Sequence, residues 1–163
     1  MTRTAGASWS AEVAHAGFMG TVSAGPIYDF NSDHAAAFSI GSYQNGPNHY
    51  AQLNLAYRYS RWQYDRPKVF WKPLHIGLFL LYSTDQQRFF TKSPSKYPED
   101  GYYEETALRG GVELGSTVLL RHSRLGFAMY MRILDNGIVA TLNNVYRDLQ
   151  YYTSTGLGLQ YQF

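Results

Sequence analysis

The stretch YYTSTGLGLQYQF (residues 151–163) alternates large side chains with small or polar ones. Leu157, Leu159, Tyr161 and Phe163 occupy odd positions, and Gly156, Gly158, Gln160 and Gln162 occupy even ones. Successive residues of a β-strand point to opposite faces of its sheet. A period of two therefore predicts a strand with one apolar face and one small or polar face.

The same period recurs along the rest of the chain. It is clear at residues 52–60, 74–83, 108–120 and 125–134, and weaker at Trp9–Gly17, Thr21–Phe30 and Ala35–Gln44. Turn-forming residues separate the weaker segments, at residues 18–20, 31–33 and 45–48. An even number of strands of about ten residues suits a closed barrel that crosses a hydrocarbon layer. The predicted fold class is all-β, an eight-stranded antiparallel up-and-down transmembrane β-barrel that forms a single domain over residues 1–163.

The lengths of the connections between strands predict which end of the barrel faces the periplasm and which faces the outside. Barrels of this type have short periplasmic turns and longer external loops. With Phe163 at the periplasmic end, the short turn Arg121–Arg124 is periplasmic, and Gln86–Glu105 and Asp135–Asp148 are external. We interpret Tyr64–Pro73 as a periplasmic link outside the strands because it contains two prolines, and we expect its Phe70 and Trp71 at the inner membrane interface.

Composition narrows the class of protein. Aromatic residues make up 17% of the chain and charged residues only 16%, against about a quarter in soluble domains. A net charge of +2 gives no reason to expect a nucleic-acid partner, and the absence of cysteine rules out disulfides and thiolate metal sites. No apolar run approaches the roughly 18–20 residues of a membrane helix. The first eight residues lack the apolar core of a secretory signal, so an exported protein would begin here in its mature form.

The pattern alone leaves open whether the apolar face points outward into lipid or inward, as in a soluble barrel that binds a small ligand. Two observations favour lipid. The polar face carries few charges among many Gly, Ala and Ser residues, as a narrow lumen requires. Aromatic residues also collect near strand ends, where such rings straddle the lipid–water boundary; they are Trp9, Tyr28, Tyr57, Tyr59, Trp62, Tyr82, Tyr151 and Tyr161.

The ending GLGLQYQF, with its terminal Phe163, resembles the last strand of small bacterial outer-membrane β-barrel proteins. The resemblance is at the level of the class and selects no family within it. It implies location in the bacterial outer membrane and recognition of the last strand by the barrel-assembly machinery.

The charges on the polar face predict an ion-pair network inside the barrel. Its expected members are Glu12, Arg58, Arg109, Glu113 and Arg132. Buried charges need partners whatever the function, so we interpret the network as structural. A conducting role is the alternative, but an eight-stranded barrel is only about wide enough for its own side chains.

An enzymatic alternative follows from the same class, which includes lipid A deacylases and palmitoyltransferases of the outer leaflet. Ester chemistry needs a serine, a histidine and an orienting group, and the best candidates are Ser42 and His49, which flank the predicted turn 45–48. No carboxylate completes the pair. The adjacent His122-Ser123 falls in a periplasmic turn and departs by one residue from the deacylases' His-x-Ser pattern. The remaining histidines lack metal-ligand spacing, so neither a metal nor a cofactor is expected.

The external segment 88–97 combines cations with aromatic rings. Its Arg88, Phe89, Phe90, Lys92 and Lys96 are candidates for contact with lipid or lipopolysaccharide, through phosphates and acyl or sugar surfaces. The preferred functional hypothesis is an integral outer-membrane barrel with a structural, adhesive or lipid-interacting role and no defined chemistry. An enzyme that modifies the acyl chains of lipid A and a soluble small-ligand barrel are the alternatives.

Overall fold

The computed structural model describes residues 7–45, 48–84, 108–135, 138 and 152–163. These residues form one antiparallel sheet. Its strands are β1 (Ser8–Ala16), β2 (Val22–Asp29), β3 (His34–Asn45), β4 (Asn48–Tyr59), β5 (Tyr64–Asp65), β6 (Val69–Ser83), β7 (Leu108–Leu120), β8 (Leu125–Leu134) and β9 (Thr153–Gln162).

The sheet closes on itself. β4 pairs with β6, and β1 pairs with β9, where Val13 lies opposite Leu159. The two-residue β5 pairs only with the beginning of β6. It is therefore not one of the strands that form the barrel wall. The predicted eight-stranded antiparallel barrel is therefore confirmed. Within the described ranges, no helix has the length and apolar character needed to cross a membrane.

The apolar face points outward, as predicted. On β8, Phe127 and Met129 are 55% and 59% exposed, whereas Ala128 and Tyr130 between them are 4% and 1% exposed. On β9, Leu157 is 63% exposed. The alternation therefore places large apolar side chains on the outer wall and small or polar ones in the lumen.

The structure corrects the prediction for Tyr64–Pro73. Residues 69–73 belong to β6, and the pairing of β6 with β7 shifts between Lys72 and His75. Pro73 lies in this irregularity, where its missing N–H is tolerated because the ladder is already interrupted. Trp71 faces outward, but Phe70 faces the lumen, where its ring lies 5.9 Å from Lys72 Nζ and 6.0 Å from the guanidinium of Arg121 at the mouth of the barrel.

Residues 16–20, here called the inward turn, connect β1 to β2 and fold into the lumen. Ala16, Gly17, Phe18 and Gly20 all have positive φ, which non-glycine residues rarely adopt. Met19 is 1% exposed, and the backbone N–H of Thr21 donates to the carbonyl of Ser42 at 2.7 Å. The turn therefore fills the lumen at the end of the barrel opposite Phe163.

Candidate functional site

A network of polar side chains fills the middle of the lumen. It is built from six strands and consists of Glu12 (β1), Arg58 (β4), His75 (β6), Glu113 (β7), Tyr130 and Arg132 (β8) and Gln160 (β9). Each member is less than one tenth exposed. The lumen network thus buries two arginines and two glutamates at the same level of the barrel.

Glu113 lies at the centre of the lumen network. Its Oε1 accepts a hydrogen bond from Arg58 Nε at 2.7 Å and lies 3.0 Å from His75 Nε2. Its Oε2 accepts from Arg132 Nε, also at 2.7 Å. Arg132 stands directly opposite Glu113 in the pairing of β7 with β8, so the register itself creates this ion pair.

Glu12 is the second anion of the lumen network. Its Oε2 accepts hydrogen bonds from the hydroxyl of Tyr130 and from Gln160 Nε2, the latter at 2.6 Å. Its Oε1 lies 3.6 Å from Arg58 Nη2. Arg58 therefore joins the two glutamates, and the buried charges balance within one cluster, which is the condition for holding them away from water.

Aromatic rings cover the two arginines of the lumen network. The Arg58 guanidinium lies 4.7 Å from the centroid of Tyr130, and that of Arg132 lies 4.6 Å from the centroid of Phe79. A cation over a ring face gains electrostatic attraction when it is desolvated. The rings thus fix the guanidinium planes as well as filling space.

Lumen-facing glycines make room for these large side chains. A Cβ on Gly158 would lie 2.8 Å from the Tyr130 hydroxyl oxygen and 3.1 Å from Glu12 Oε2. A Cβ on Gly115 would lie 2.4 Å from His75 Cε1. The small positions in the period-two pattern are therefore part of the site, since they leave the volume that the charged groups occupy.

Arg109 was predicted in the same network, and the structure places it elsewhere. It is buried near the end of the barrel opposite Phe163 and its Nη1 lies 3.3 Å from Asp135 Oδ2. The other four predicted members come together as described. His75, Tyr130 and Gln160 were not predicted as members of the network, although all three occupy the polar face of their period-two segments and that parity could have identified them.

A cavity of about 940 Å³ opens at the Phe163 end of the lumen. Lys72 and Asp29 form an ion pair across it at 3.0 Å, and Arg58, His75 and Gln160 form its inner end. A smaller void of about 10 Å³, about the size of one water, lies beside the inward turn. Among the described residues, Arg58 and Ile27 line both spaces.

The candidate catalytic pair lies on the outer wall. Ser42 is opposite Ala51, and His49 is opposite Gln44, so the two candidates are diagonal rather than direct neighbours across the hairpin. Both are exposed. Within the described part of the chain, no carboxylate is shown beside either residue, and no three His, Asp or Glu side chains cluster as metal ligands would.

The lipid-contact candidates Arg88, Phe89, Phe90, Lys92 and Lys96 lie outside the described residues.

Fold and lumen together define a closed antiparallel barrel of the outer-membrane kind, with an apolar outer wall and charges inside. The chain is similar in structure to the N-terminal β-barrel domain of Pseudomonas aeruginosa OprF, with a TM-score of 0.51 over 99% of this chain and 100% of that domain. Sequence identity is 12%, so the likeness concerns the fold. No protein-family model matches the chain, and no curated protein sequence matches it either.

Proposed function

We propose that this protein is an integral barrel of the bacterial outer membrane with a structural, lipid-contacting role and a sealed lumen. The observation that carries the proposal is the inverted distribution of side chains. Leu78 is 64% exposed on the outer wall, whereas Glu113 in the lumen is fully buried. A protein surrounded by water would place these two residues the other way round.

The outer wall supports a lipid surrounding. Apolar side chains follow one another along it on neighbouring strands, for example Leu55 on β4, which lies directly opposite Leu80 on β6. Soluble monomers rarely expose continuous apolar patches beyond a few hundred Å². Closure of the sheet removes free strand edges, which lipid could not satisfy with hydrogen bonds.

The lumen supports a structural role. The lumen network and the inward turn occupy its middle and one end, and the open cavity at the Phe163 end stops at Arg58. A barrel filled in this way anchors and presents its loops without offering a wide path for solutes. Two of the three connections at the Phe163 end, residues 30–33 and 121–124, are short turns, as on the periplasmic side of such a barrel.

The depth dependence of lipid-facing charge tests the membrane role. Leu78 lies between exposed Ile76 and Leu80 in the apolar band, whereas Leu120 is the last residue of β7. Arginine on the lipid face costs about 2–4 kcal/mol at the bilayer midplane and about 0–1 kcal/mol near the interface. We expect Leu78→Arg to lower the free energy of unfolding in lipid vesicles by that larger amount and Leu120→Arg to change it little.

Two readouts complete this experiment. The wild-type protein should migrate differently in detergent gels before and after heating, and urea titration in vesicles should give the two free energies. Equal effects of the two substitutions, or a wild type that stays dispersed and folded without detergent or lipid, would count against the membrane assignment. An unchanged lipid A acyl pattern by mass spectrometry in cells that produce the protein would separately remove the acyl-modifying alternative.

A further inference from the structure

Five cations gather on one side of the barrel at its Phe163 end. This basic rim consists of Arg61, Arg66, Lys68, Arg121 and Arg124. The first three lie on the link between β4 and β6, and the last two on the turn between β7 and β8. The backbone N–H of Arg121 donates to the carbonyl of Lys68 at 3.1 Å, so the two segments form one surface.

Most of this positive charge is unpaired. Arg121 forms an ion pair with Asp65. Arg61, Arg66, Lys68 and Arg124 are exposed, and none of them has a carboxylate partner among the residues that the structure describes. Surface cations without partners keep their full attraction for external anions. Arg121 and Arg124 also line the mouth of the cavity, whereas Arg61, Arg66 and Lys68 do not. The basic rim therefore offers about four free positive charges, three of them on the link between β4 and β6.

Aromatic rings place the basic rim at a membrane boundary. Trp62, Tyr64 and Trp71 are 56%, 52% and 41% exposed, and the rings of Tyr64 and Trp71 stack at 5.4 Å. The indole N–H of Trp71 donates to Ser116 Oγ at 3.0 Å, which holds that ring against the outer wall. Tryptophan and tyrosine favour the headgroup level of a bilayer, so the neighbouring cations lie where lipid phosphates are found.

We propose that the basic rim binds the headgroups of anionic phospholipids in the leaflet at the Phe163 end of the barrel. The proposal rests on the membrane role proposed above. Cations near an anionic leaflet are attracted to it, and the attraction falls off within a Debye length. The barrel thus collects negatively charged lipid on the side of β6 and β7.

The opposite side of the barrel provides an internal reference. Trp9 lies on β1 at the same end, 54% exposed and with its ring 4.6 Å from that of Tyr28. β1 and β6 are four strands apart in both directions around the closed ring. Residues 7–45 and 152–163 contain no Arg or Lys. Trp9 therefore samples the same leaflet away from Arg61, Arg66 and Lys68. Arg124 is nearer, two strands away, because its carbonyl accepts from the backbone N–H of Gln162 at 3.0 Å.

Quenching of tryptophan by brominated lipids can compare the two sides. The protein contains three tryptophans, so Trp9→Phe leaves only those beside the basic rim, and Trp62→Phe/Trp71→Phe leaves only Trp9. Each variant would be inserted into vesicles of equal parts phosphatidylcholine and phosphatidylglycerol, with bromine on the chains of one lipid or the other. We expect phosphatidylglycerol to be enriched about fivefold beside Trp62 and Trp71, and not beside Trp9.

A second variant removes the charges. In the Trp9→Phe background, Arg61→Gln/Arg66→Gln/Lys68→Gln/Arg124→Gln should abolish the enrichment while the heat-dependent gel shift stays. Arg121 is kept because it pairs with Asp65. If this variant does not fold, raising the salt concentration on the Trp9→Phe protein provides the same comparison, because screening should reduce the enrichment toward unity.

The outcomes distinguish the two proposals. Equal quenching by both lipids on both sides, or enrichment that survives charge removal or high salt, would overturn the lipid-binding inference while leaving the membrane role intact. Failure of either brominated lipid to quench Trp9 would instead show that the barrel is not inserted, and would overturn the membrane role itself.

Discussion

Glu113 bears its charge at a position with no solvent contact, held by the side chains of Arg58, Arg132 and His75. Replacing it with glutamine keeps the volume and removes the charge. Arg58 and Arg132 would then share Glu12 as the remaining anion of the lumen network. Breaking a buried ion pair by removing one partner costs about 3–5 kcal/mol, and we expect Glu113→Gln to lower the free energy of unfolding by that amount.

The exposed ion pair between Asp65 and Arg121 is the matched comparison, because its side chains are 50% and 28% exposed. Exposed pairs contribute about 0–1 kcal/mol, so Asp65→Asn should have a small effect. Urea titration of the folded protein in lipid vesicles, followed by tryptophan fluorescence, measures both. A Glu113→Gln protein no less stable than Asp65→Asn would mean that the lumen network does not hold the strands together.

Single residues also show which members of the lumen network could be predicted from the sequence. Parity along each strand placed Glu12, Arg58, Glu113 and Arg132 on the polar face, and the few charges among small residues on that face were enough to place it in the lumen. It could not place Arg109 relative to them, although Arg109 and Glu113 share a face of β7. Four residues along a strand span about 13 Å, too far for one cluster, and the stagger between neighbouring strands that decides partners leaves no mark in the period-two pattern.

At the scale of elements, the inward turn depends on a glycine that lies far from it in sequence. A Cβ on Gly41 would lie 1.7 Å from the carbonyl oxygen of Met19, so this position of β3 allows the turn to enter the lumen. Side-chain amides of β4 hold it there, with Gln52 donating to the carbonyl of Phe18 and Asn54 to that of Met19 at 3.3 Å.

We expect Gly41→Ala to destabilise the barrel by about 1–3 kcal/mol, the usual cost of forcing atoms into filled space. Gly110→Ala on β7 is the control, because its Cβ would meet its nearest neighbours at 3.4 Å and should change stability by less than about 0.5 kcal/mol. The same urea titration compares them. Similar losses in both variants would show that the turn does not need the space at Gly41.

Proline was the reason for one wrong prediction about the strands, at Tyr64–Pro73. Two prolines in Tyr64–Pro73 argued for a link outside the strands, yet β6 begins at Val69 and passes through Pro73. The reason is local: the pairing shifts beside Pro73. A bulge interrupts the period-two alternation of side chains. Its position therefore becomes clear only when the pairing with the neighbouring strand, here β7, is known.

At the scale of the whole molecule, the described residues leave no wide path through the lumen from end to end, which is the basis of the sealed lumen proposed above. Arg58 and Ile27 lie between the cavity at the Phe163 end and the small void by the inward turn, and the guanidinium of Arg58 is held by two glutamates. We expect vesicles that contain the folded protein to show no swelling in arabinose beyond that of protein-free vesicles. Swelling comparable to that produced by a general porin would contradict the sealed lumen.

The meeting of β1 with β9 has a consequence for biogenesis. Ser10 of β1 pairs with Gln162 of β9. The backbone N–H and C=O groups on the β9-facing edge of β1 therefore lack hydrogen-bond partners until residues 153–162 have been synthesised. Each such group left bare in hydrocarbon costs several kcal/mol, which penalises threading the hairpins into lipid one after another. On the proposed membrane role, we therefore expect the nascent polypeptide to be kept in an aqueous, insertion-competent form and to enter the bilayer as a nearly complete cylinder.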